Sequence, residues 1–195
     1  MVQINFKKKE ITCKVVYCGL PAAGKSTSIE VVQKTAAPER STALIETRVN
    51  DADVVRFCSY TPDMLLAQMK LNFMLITLHG AVWYGSSKKT LLQGADGIVF
   101  VADSQATLTE NENELATLEQ DLQEAAHVKL EKTPHVFQWN KRDLRSGSSK
   151  KLDVLNKYGA PAFDTIATKG DGVIPALAAL ISRMRDRMAG EYGLA

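Results

Sequence analysis

The segment from Gly19 to Ser26 carries the residue types, at the spacing, that phosphate binding requires. It reads Gly-Leu-Pro-Ala-Ala-Gly-Lys-Ser and matches the pattern G-x-x-x-x-G-K-[ST]. Gly19 allows the chain to turn sharply, and Gly24 allows backbone N–H groups to close around phosphate oxygens. Lys25 is expected to reach the outer phosphates, Ser26 to offer its hydroxyl to Mg²⁺, and Thr27 to donate to the inner phosphate. The predicted phosphate contacts are Gly19, Ala22, Ala23, Gly24, Lys25, Ser26 and Thr27.

The surroundings of this segment support the same interpretation. A β-rich run, ITCKVVYCG (11–19), leads directly into it, and the run KSTSIEVVQKT (25–35) follows as a predicted helix. A helix that begins here points its positive N-terminus at a bound anion. Pro21 fixes its own φ and lacks an N–H, so we expect a stiffer loop with one donor fewer near the γ-phosphate. The alternative is a plain turn between a strand and a helix.

A second motif, N-K-R-D, begins at Asn140 directly after the run HVFQW and favours guanine as the base. An ionised Asp143 would accept two hydrogen bonds, from the ring N–H and the amino group of guanine, whereas adenine presents a different edge. Asn140 would hold the loop, and the stem of Lys141 would lie against the base. After the next predicted strand, the backbone around Ala167 and Thr168 would support the guanine O6. The alternative is a polar strand exit that binds nothing.

Alternating strands and helices must position these two motifs. Strands are predicted at 11–19, 71–78, 97–103, 135–140 and 162–167, with an edge strand at 54–60. Helices are predicted from Lys25, from Thr107, which has the spacing of a capping box with Glu110, and over 174–188, where apolar residues recur at helical spacing. This order predicts an α/β fold with a mostly parallel sheet, whose carboxyl edge would carry both motifs.

Composition narrows the class of protein. A chain of 195 residues, 45% of them hydrophobic, suits one domain over 1–195. With 24 basic and 22 acidic residues, the net charge of +2 predicts no binding to nucleic acid. There is no apolar run of about eighteen residues, and neither Val2 nor the C-terminal EYGLA fits a lipidation signal, so we expect a cytoplasmic protein without a direct membrane anchor.

Three cysteines are expected to be reduced and buried. Cys13, Cys18 and Cys58 form no C-x-x-C pair and cannot all pair with one another. Cys13 and Cys18 are an odd number of residues apart on a predicted strand, so their side chains should point to opposite faces of the sheet.

With these motifs in view, the chain resembles the MglA family, the bacterial Ras-like GTPases of gliding motility and cell polarity. The resemblance runs over nearly the whole chain and shows in INFKKKEITCKVVYCG (4–19), KTAAPE (34–39), GADGIVFVADSQ (94–105) and NKRDL (140–144). Thr77, where Ras itself has an aspartate linked to Mg²⁺, is a further trait of this family.

The resemblance implies a P-loop NTPase with a Ras-like G domain, built on a six-stranded, mostly parallel sheet with helices on both faces. It implies a switch that binds GTP or GDP with Mg²⁺ and that is recruited to a cell pole in the GTP state. The partners it implies are proteins: a small dimeric activating protein of the MglB type and response-regulator-like polar proteins.

The sequence departs from the family pattern at the second switch. In the family, the glycine equivalent to Gly80, a predicted nucleotide contact, is preceded by proline and followed by the glutamine that orients the attacking water. Here His79 precedes it and Ala81 follows, and alanine cannot orient water. His79 is a candidate for placing the water, with a structural or partner-facing role as the alternative. Trp83 and Tyr84 are expected either to pack under the switch helix or to contact a partner.

The first switch departs as well. The family threonine that binds Mg²⁺ and the nearby arginine align, without gaps, to NDADVV (50–55), where neither residue type occurs. Thr47 is the substitute candidate for the metal, and Arg48 or Arg56 for the developing charge. An arginine finger alone is worth about 10³–10⁵ in rate, so we expect slow intrinsic hydrolysis. We expect nucleotide binding to remain tight, because the phosphate loop, Ser26 and the N-K-R-D motif are all present.

Two alternatives to a cycling switch remain open. One is a scaffold that holds GTP or GDP and recruits polar proteins without hydrolysis. The other is a small-molecule P-loop kinase, against which the N-K-R-D motif and the lack of an arginine-rich lid both count.

Overall fold

Strands and helices alternate along the chain as the sequence predicts. A computed structural model describes residues 2–48, 54–79, 86–144 and 152–193, without the side chains of Leu78, His79, Ser86 and Tyr192. The strands are β1 Gln3–Asn5, β2 Glu10–Cys18, β3 Ile45–Arg48, β4 Val54–Tyr60, β5 Leu65–Leu66, β6 Met69–His79, β7 Gly97–Asp103, β8 His135–Asn140 and β9 Ala162–Asp164. The helices are α1 Lys25–Thr35, α2 Ser86–Leu92, α3 Leu108–Ala126 and α4 Val173–Tyr192.

These nine strands form one sheet with the order β3-β4-β6-β2-β7-β8-β9, to which β1 and β5 add short pairings. The five strands from β6 to β9 along this order are parallel, whereas β4 runs antiparallel to β6 and β3 antiparallel to β4. The predicted mostly parallel sheet is therefore confirmed, and all six predicted strands belong to it. The predicted edge position of 54–60 is wrong, because β3 pairs along the outer side of β4.

Two apolar layers, one on each face of the sheet, hold the helices. Cys13, Val15 and Tyr17 of β2 belong to the layer that contains α1 and α4, whereas Val16 and Cys18 belong to the layer that contains α2 and α3. This alternation follows from the two-residue repeat of a strand. It confirms that Cys13 and Cys18 lie buried on opposite faces, and it places helices on both sides of the sheet.

Helix ends follow local chemistry. The Thr107 side chain accepts a hydrogen bond from the Glu110 N–H, and the Glu110 carboxylate accepts one from the Thr107 N–H, which completes the predicted capping box of α3. The helices α1 and α4 also form where they were predicted. Within the described ranges, no helix is long and apolar enough to cross a membrane.

The predicted strand 162–167 is only half as long in the structure. β9 ends at Asp164 because the chain then turns back on itself, with Ile166 bridged to Asp171. Residues beyond Asp164 therefore form a loop at the carboxyl edge of the sheet, beside the end of β8.

Candidate functional site

The loop between β2 and α1 fits closely against its neighbours at its two glycines, against backbone at Gly19 and against a side chain at Gly24. Gly19 has φ +134° and Gly24 has φ +106°, both in the region that favours glycine. A Cβ at Gly19 would lie 2.1 Å from the carbonyl oxygen of Val101, and one at Gly24 would lie 2.1 Å from Nδ2 of Asn140. Any larger side chain would collide, so both positions require glycine.

The side chain of Lys25 folds back onto this loop. Its Nζ donates to the carbonyl oxygens of Gly19 at 2.9 Å and of Leu20 at 2.6 Å, and the residue is 5% exposed. Burial is the main cause that lowers the pKa of Lys25 to about 8. Ser26 and Thr27 are half-buried in the first turn of α1, whose leading amides have no intrahelical acceptor. A cation, two hydroxyls and helix amides thus lie together at the carboxyl end of β2, which suits an anion.

The two alanines of the loop differ from each other. Ala22 is exposed and has φ +59°, whereas Ala23 is buried. The Ala23 N–H donates to the Leu20 carbonyl at 3.1 Å, and its own carbonyl accepts from Asn140 at 2.7 Å. In this conformation, the Ala23 amide predicted to contact phosphate is instead used within the loop, because a buried N–H needs a partner.

Asn140, the first residue of the N-K-R-D motif, joins three segments of the chain. Its Nδ2 donates to the Ala23 carbonyl at 2.7 Å. Its Oδ1 accepts from the Thr165 hydroxyl at 3.1 Å and from the Ala167 N–H at 2.9 Å. The side chain is 2% exposed, so these bonds form away from competing water. Asn140 therefore joins the loop after β2, the N-K-R-D motif and the loop after β9.

The rest of the motif presents two charged side chains that are held in ion pairs and one that is available. Lys141 has φ +64°, and its Nζ pairs with the Asp103 carboxylate at 2.6 Å. Arg142 pairs with Asp164 at 3.0 Å, which fastens the motif to the end of β9. Asp143 is exposed and makes no hydrogen bond or ion pair with any other described residue. Its carboxylate is therefore available to a ligand.

The loop after β9 places its amides unequally. The Ala167 N–H is used by Asn140, so in this conformation it is not available to a guanine O6. Thr168 is exposed, and across the described ranges no partner accepts from its N–H. Thr168 is thus the amide of the pair that remains open to a ligand.

The candidates from the first switch lie elsewhere. Thr47 and Arg48 are exposed on β3, which β4 and β6 separate from β2 by three strand spacings, or about 14 Å. Thr47 is opposite Val55, whose side chain belongs to the α2 and α3 layer, so Thr47 faces away from α1 and Ser26. Thr47 is therefore not a metal ligand alongside Ser26 in this conformation, which corrects that prediction.

Arg56 is held by two carboxylates. Its side chain pairs with Glu46 at 2.8 Å and with Glu30 of α1 at 3.4 Å. Neither Arg48, which lies at the outer strand, nor Arg56 is placed at the phosphate loop, because each is fixed by its strand and Arg56 also by its ion pairs. Among the described residues, no hydrogen bond or ion pair joins either arginine to the loop after β2.

The second switch lies mostly outside the described residues. Thr77 is fully buried, and its hydroxyl donates to the Tyr17 carbonyl at 3.2 Å. The backbone of His79 pairs with Val54 at the end of β6, but its side chain is not described. Gly80, Ala81, Trp83 and Tyr84 are also outside the described residues.

Two residues of this site were not predicted from the sequence. The Thr165 hydroxyl supports Asn140, and the Asp103 carboxylate anchors Lys141. Each comes at or just after the carboxyl end of a strand, where open α/β sheets carry their binding residues. That position was the signal that could have identified them.

Comparison with known proteins gives a relative over almost the full chain. No family model matches the sequence. The chain is 36% identical over 182 residues to the mutual gliding-motility protein MglA of Myxococcus xanthus (strain DK1622), a match that covers 91% of this chain and 92% of the relative. The chain belongs to the MglA family. Membership in the MglA family, together with the sheet order and the loop after β2, makes the fold that of a Ras-like P-loop G domain.

In this MglA-family chain, the helices that connect the parallel strands change from one face of the sheet to the other at β2. The helix after β2 packs in one apolar layer, and the helices on either side of β7 pack in the other. Such a switch point opens a crevice at the carboxyl edge of a parallel sheet, which is where open α/β folds bind ligands. The phosphate loop and Asn140 lie at this crevice.

Proposed function

We propose that this MglA-family protein binds GTP and GDP with Mg²⁺ and acts as a molecular switch in cell polarity or motility. The observation that carries the proposal is the Asn140 side chain, which joins the phosphate loop, the N-K-R-D motif and the Ala167 loop through three buried hydrogen bonds. Such a junction sets the distance between a phosphate site and a base site. A nucleotide is the ligand that needs both.

The phosphate end is proposed to work through Lys25, Ser26 and the first amides of α1. The loop has no space for a Cβ at Gly19 or Gly24, which fits a backbone that must pass close to phosphate oxygens. Lys25 would exchange its two carbonyl partners for the outer phosphates, while the Ser26 hydroxyl would bind Mg²⁺. Thr27 would donate to the inner phosphate. Gly80 remains a proposed contact beyond the described residues.

The base end is proposed to work through Asp143 and Lys141. The exposed Asp143 carboxylate, which has no partner among the described residues, would accept the two N–H groups of guanine in charge-assisted hydrogen bonds. The ion pair with Asp103 fixes the position of Lys141, whose stem would then lie against the base. The amide of Thr168, with that of Ala167 if it leaves Asn140, would support the guanine O6.

Hydrolysis is proposed to be slow without a partner. Alanine at position 81 cannot orient water, and the arginines of the first switch segment do not lie at the phosphate loop. Without these groups, the rate of GTP hydrolysis should be lower by several orders of magnitude, since an arginine finger alone contributes about 10³–10⁵ in rate. His79 is the proposed residue for placing water if the chain hydrolyses GTP by itself.

A second function, favoured by the placement of Arg56, is a scaffold that holds a nucleotide without hydrolysing it. The ion pairs of Arg56 with Glu46 and with Glu30 of α1 hold its side chain between β3, β4 and α1. In both functions, we propose that protein partners read the nucleotide state: a small dimeric activating protein of the MglB type, and response-regulator-like proteins at a cell pole. The relative from Myxococcus xanthus carries gliding motility in its name, which supports this class of partner.

One experiment separates these functions. The protein is purified, the copurified nucleotide is identified, and the γ-phosphate of bound GTP is followed for hours in a single turnover. A slow switch converts GTP over this time, whereas a scaffold retains it. Rapid hydrolysis by the protein alone would contradict both, and an adenine nucleotide or none would contradict the nucleotide assignment itself.

A further inference from the structure

Two short hairpins lie side by side at the edge of the sheet opposite the phosphate loop. β1 and β2 form one hairpin and β5 and β6 form the other, and both turn where the parallel strands β2 and β6 begin. The Lys70 N–H donates to the Lys9 carbonyl at 2.8 Å, which joins the two hairpins. Cross-strand neighbours run through all four strands in the order Asn5, Glu10, Lys70 and Leu65. One row of strands therefore carries both turns.

These hairpins expose two large apolar side chains. Phe6, in the first turn, is 77% exposed, and Leu65 of β5 is 60% exposed. Among the large hydrophobic side chains of the described residues, that of Phe6 is the most exposed. Leu66 is buried in the apolar layer that contains α1 and α4, so the alternation of a strand directs Leu65 away from that layer. Removing such side chains from water is favourable, so the pair favours association with an apolar environment.

Four exposed lysines accompany the apolar pair. Three follow Phe6 in the first turn, and the fourth is opposite Leu65: they are Lys7, Lys8, Lys9 and Lys70. Within the part of the chain that the structure describes, no ion pair or side-chain hydrogen bond holds any of the four. Their ammonium groups are therefore available to an anionic partner. We name Phe6, Lys7, Lys8, Lys9, Leu65 and Lys70 the amino-edge tip.

The carboxylates closest to the amino-edge tip in the sequence already have partners. Glu10, in the same row of strands, accepts from the Asn72 amide at 3.1 Å and from the Thr12 hydroxyl at 3.3 Å. Asp63 pairs with Arg40 at 3.1 Å. The tip therefore combines a local excess of positive charge with exposed apolar surface.

We infer that the amino-edge tip is a contact site for a membrane surface that carries anionic lipids. The lysines lie among the lipid phosphates, while Phe6 and Leu65 enter the boundary between headgroups and acyl chains. A basic run alone gives weak membrane attraction, and stable attachment needs a second signal, which the two apolar side chains supply. Side chains that project from hairpins, rather than line a groove, suit the flat surface of a bilayer.

This placement leaves the nucleotide crevice open. β2 runs from Glu10 beside the tip to Cys18 before the phosphate loop, a rise of about 26 Å. A molecule seated on its amino-edge tip thus presents the carboxyl edge of its sheet away from the membrane, toward protein partners. The inference concerns a different surface from the proposed nucleotide site, so either can fail without the other.

The test measures binding of the whole chain to vesicles by cosedimentation. One set contains phosphatidylcholine and phosphatidylglycerol in about equal amounts, and the other contains phosphatidylcholine alone. The wild type should bind the anionic vesicles at least about tenfold more strongly. It should lose this preference in about 0.5 M salt, where charges are screened. Binding to neither set, as expected if the tip serves an acidic protein instead, or equal binding to both overturns the inference.

Lys7→Gln combined with Lys8→Gln tests the contribution of charge. Each lysine near an anionic surface is worth about fivefold in partitioning, so binding should weaken by about 25-fold. The matched control is Lys157→Gln combined with Lys169→Gln, which removes the same charge from exposed positions on either side of β9, about 14 Å from β2 across the sheet. The control should bind within about twofold of the wild type. An equal loss in both double variants would overturn the inference, because only net charge would then matter.

Phe6→Ser tests entry into the bilayer. Binding to anionic vesicles should weaken by about tenfold, because the side chain no longer leaves water. Phe6→Trp should retain binding, since tryptophan suits the membrane interface, and its emission should shift to the blue only with anionic vesicles. Leu65→Ser replaces Phe6→Ser if thermal melting shows that the latter is unfolded. Wild-type binding by the folded serine variant would leave attraction between charges alone and would overturn the inference.

Discussion

At the end of β8, one asparagine holds three loops through buried hydrogen bonds, whereas the side chains of β3 are exposed and Arg56 of β4 is held in ion pairs. Asn140 is 2% exposed and bonds to Ala23, Thr165 and Ala167. The side chain of Arg56 forms ion pairs with Glu46 and Glu30. The first region joins loops at the carboxyl ends of β2, β8 and β9, where open α/β sheets bind ligands, and the second does not.

This difference indicates that nucleotide binding and hydrolysis depend on separate parts of the molecule. The binding region is determined by strands in the middle of the sheet, whose relative positions are set by long parallel pairings. The candidate groups for hydrolysis belong to β3 and β4 and to the segment that begins at the end of β6. Substitutions should therefore affect one property without the other.

Asp143→Asn should have the largest effect, on the choice of base. Each charge-assisted hydrogen bond is worth about 1.5–3 kcal/mol, so exchanging the carboxylate for an amide should weaken GDP binding by about 10²–10⁴-fold and favour xanthosine diphosphate. Competition between the two nucleotides measures it. Asp164→Asn, at the end of the neighbouring strand β9, is the control and should keep the preference for guanine. Equal loss of both nucleotides in the Asp143 variant would argue against the base assignment.

Asn140→Ala should weaken GDP binding by about 30- to 1,000-fold, since two or three buried partners lose their hydrogen bonds. Titration calorimetry on the nucleotide-free protein gives the affinity. Asn156→Ala serves as a control, because Asn156 also makes two side-chain bonds to one turn, with Ala160, but lies away from the crevice. If both variants bind GDP as the wild type does, the three loops do not need Asn140 to form the site.

Arg48→Ala and Arg56→Ala should have the smallest effects. Each should leave the single-turnover rate within about twofold, and loss of the Arg56 pairs should cost less than about 1 kcal/mol of unfolding free energy. Chemical denaturation and γ-phosphate release measure the two quantities. A fall of a hundredfold or more in rate for either variant would show that the segment moves to the phosphates during turnover, and the contrast between the two regions would then hold only for one state.

Much of the binding region could be predicted because each part has a local sequence signal. The glycine spacing of the phosphate loop, the N-K-R-D run after a strand and the capping box at Thr107 are all short patterns with a physical cause. The strands 97–103 and 135–140 were predicted with the bounds that the structure has, since continuous apolar runs of this length are typical of buried parallel strands.

The remaining features depend on pairing across the chain, which a local pattern does not carry. β3 is exposed on all four residues and shows no alternation, so only its pairing with β4 defines it as a strand. Thr47 was a candidate metal ligand because of its residue type, and the local sequence does not show that it pairs within β3. The buried position of Lys88, next to the exposed Lys89, is likewise set by α3 and not by the residue types of α2.

The fully buried thiols of β2 have a practical consequence for labelling. Burial raises the pKa of Cys13 to about 12 and that of Cys18 to about 12, and it also raises the pKa of Cys58. Protonated thiols without access to solvent react slowly with maleimides and iodoacetamides. A cysteine introduced at the exposed Lys169, beside the guanine loop, should therefore accept a fluorophore selectively in the otherwise unchanged sequence and report nucleotide exchange directly.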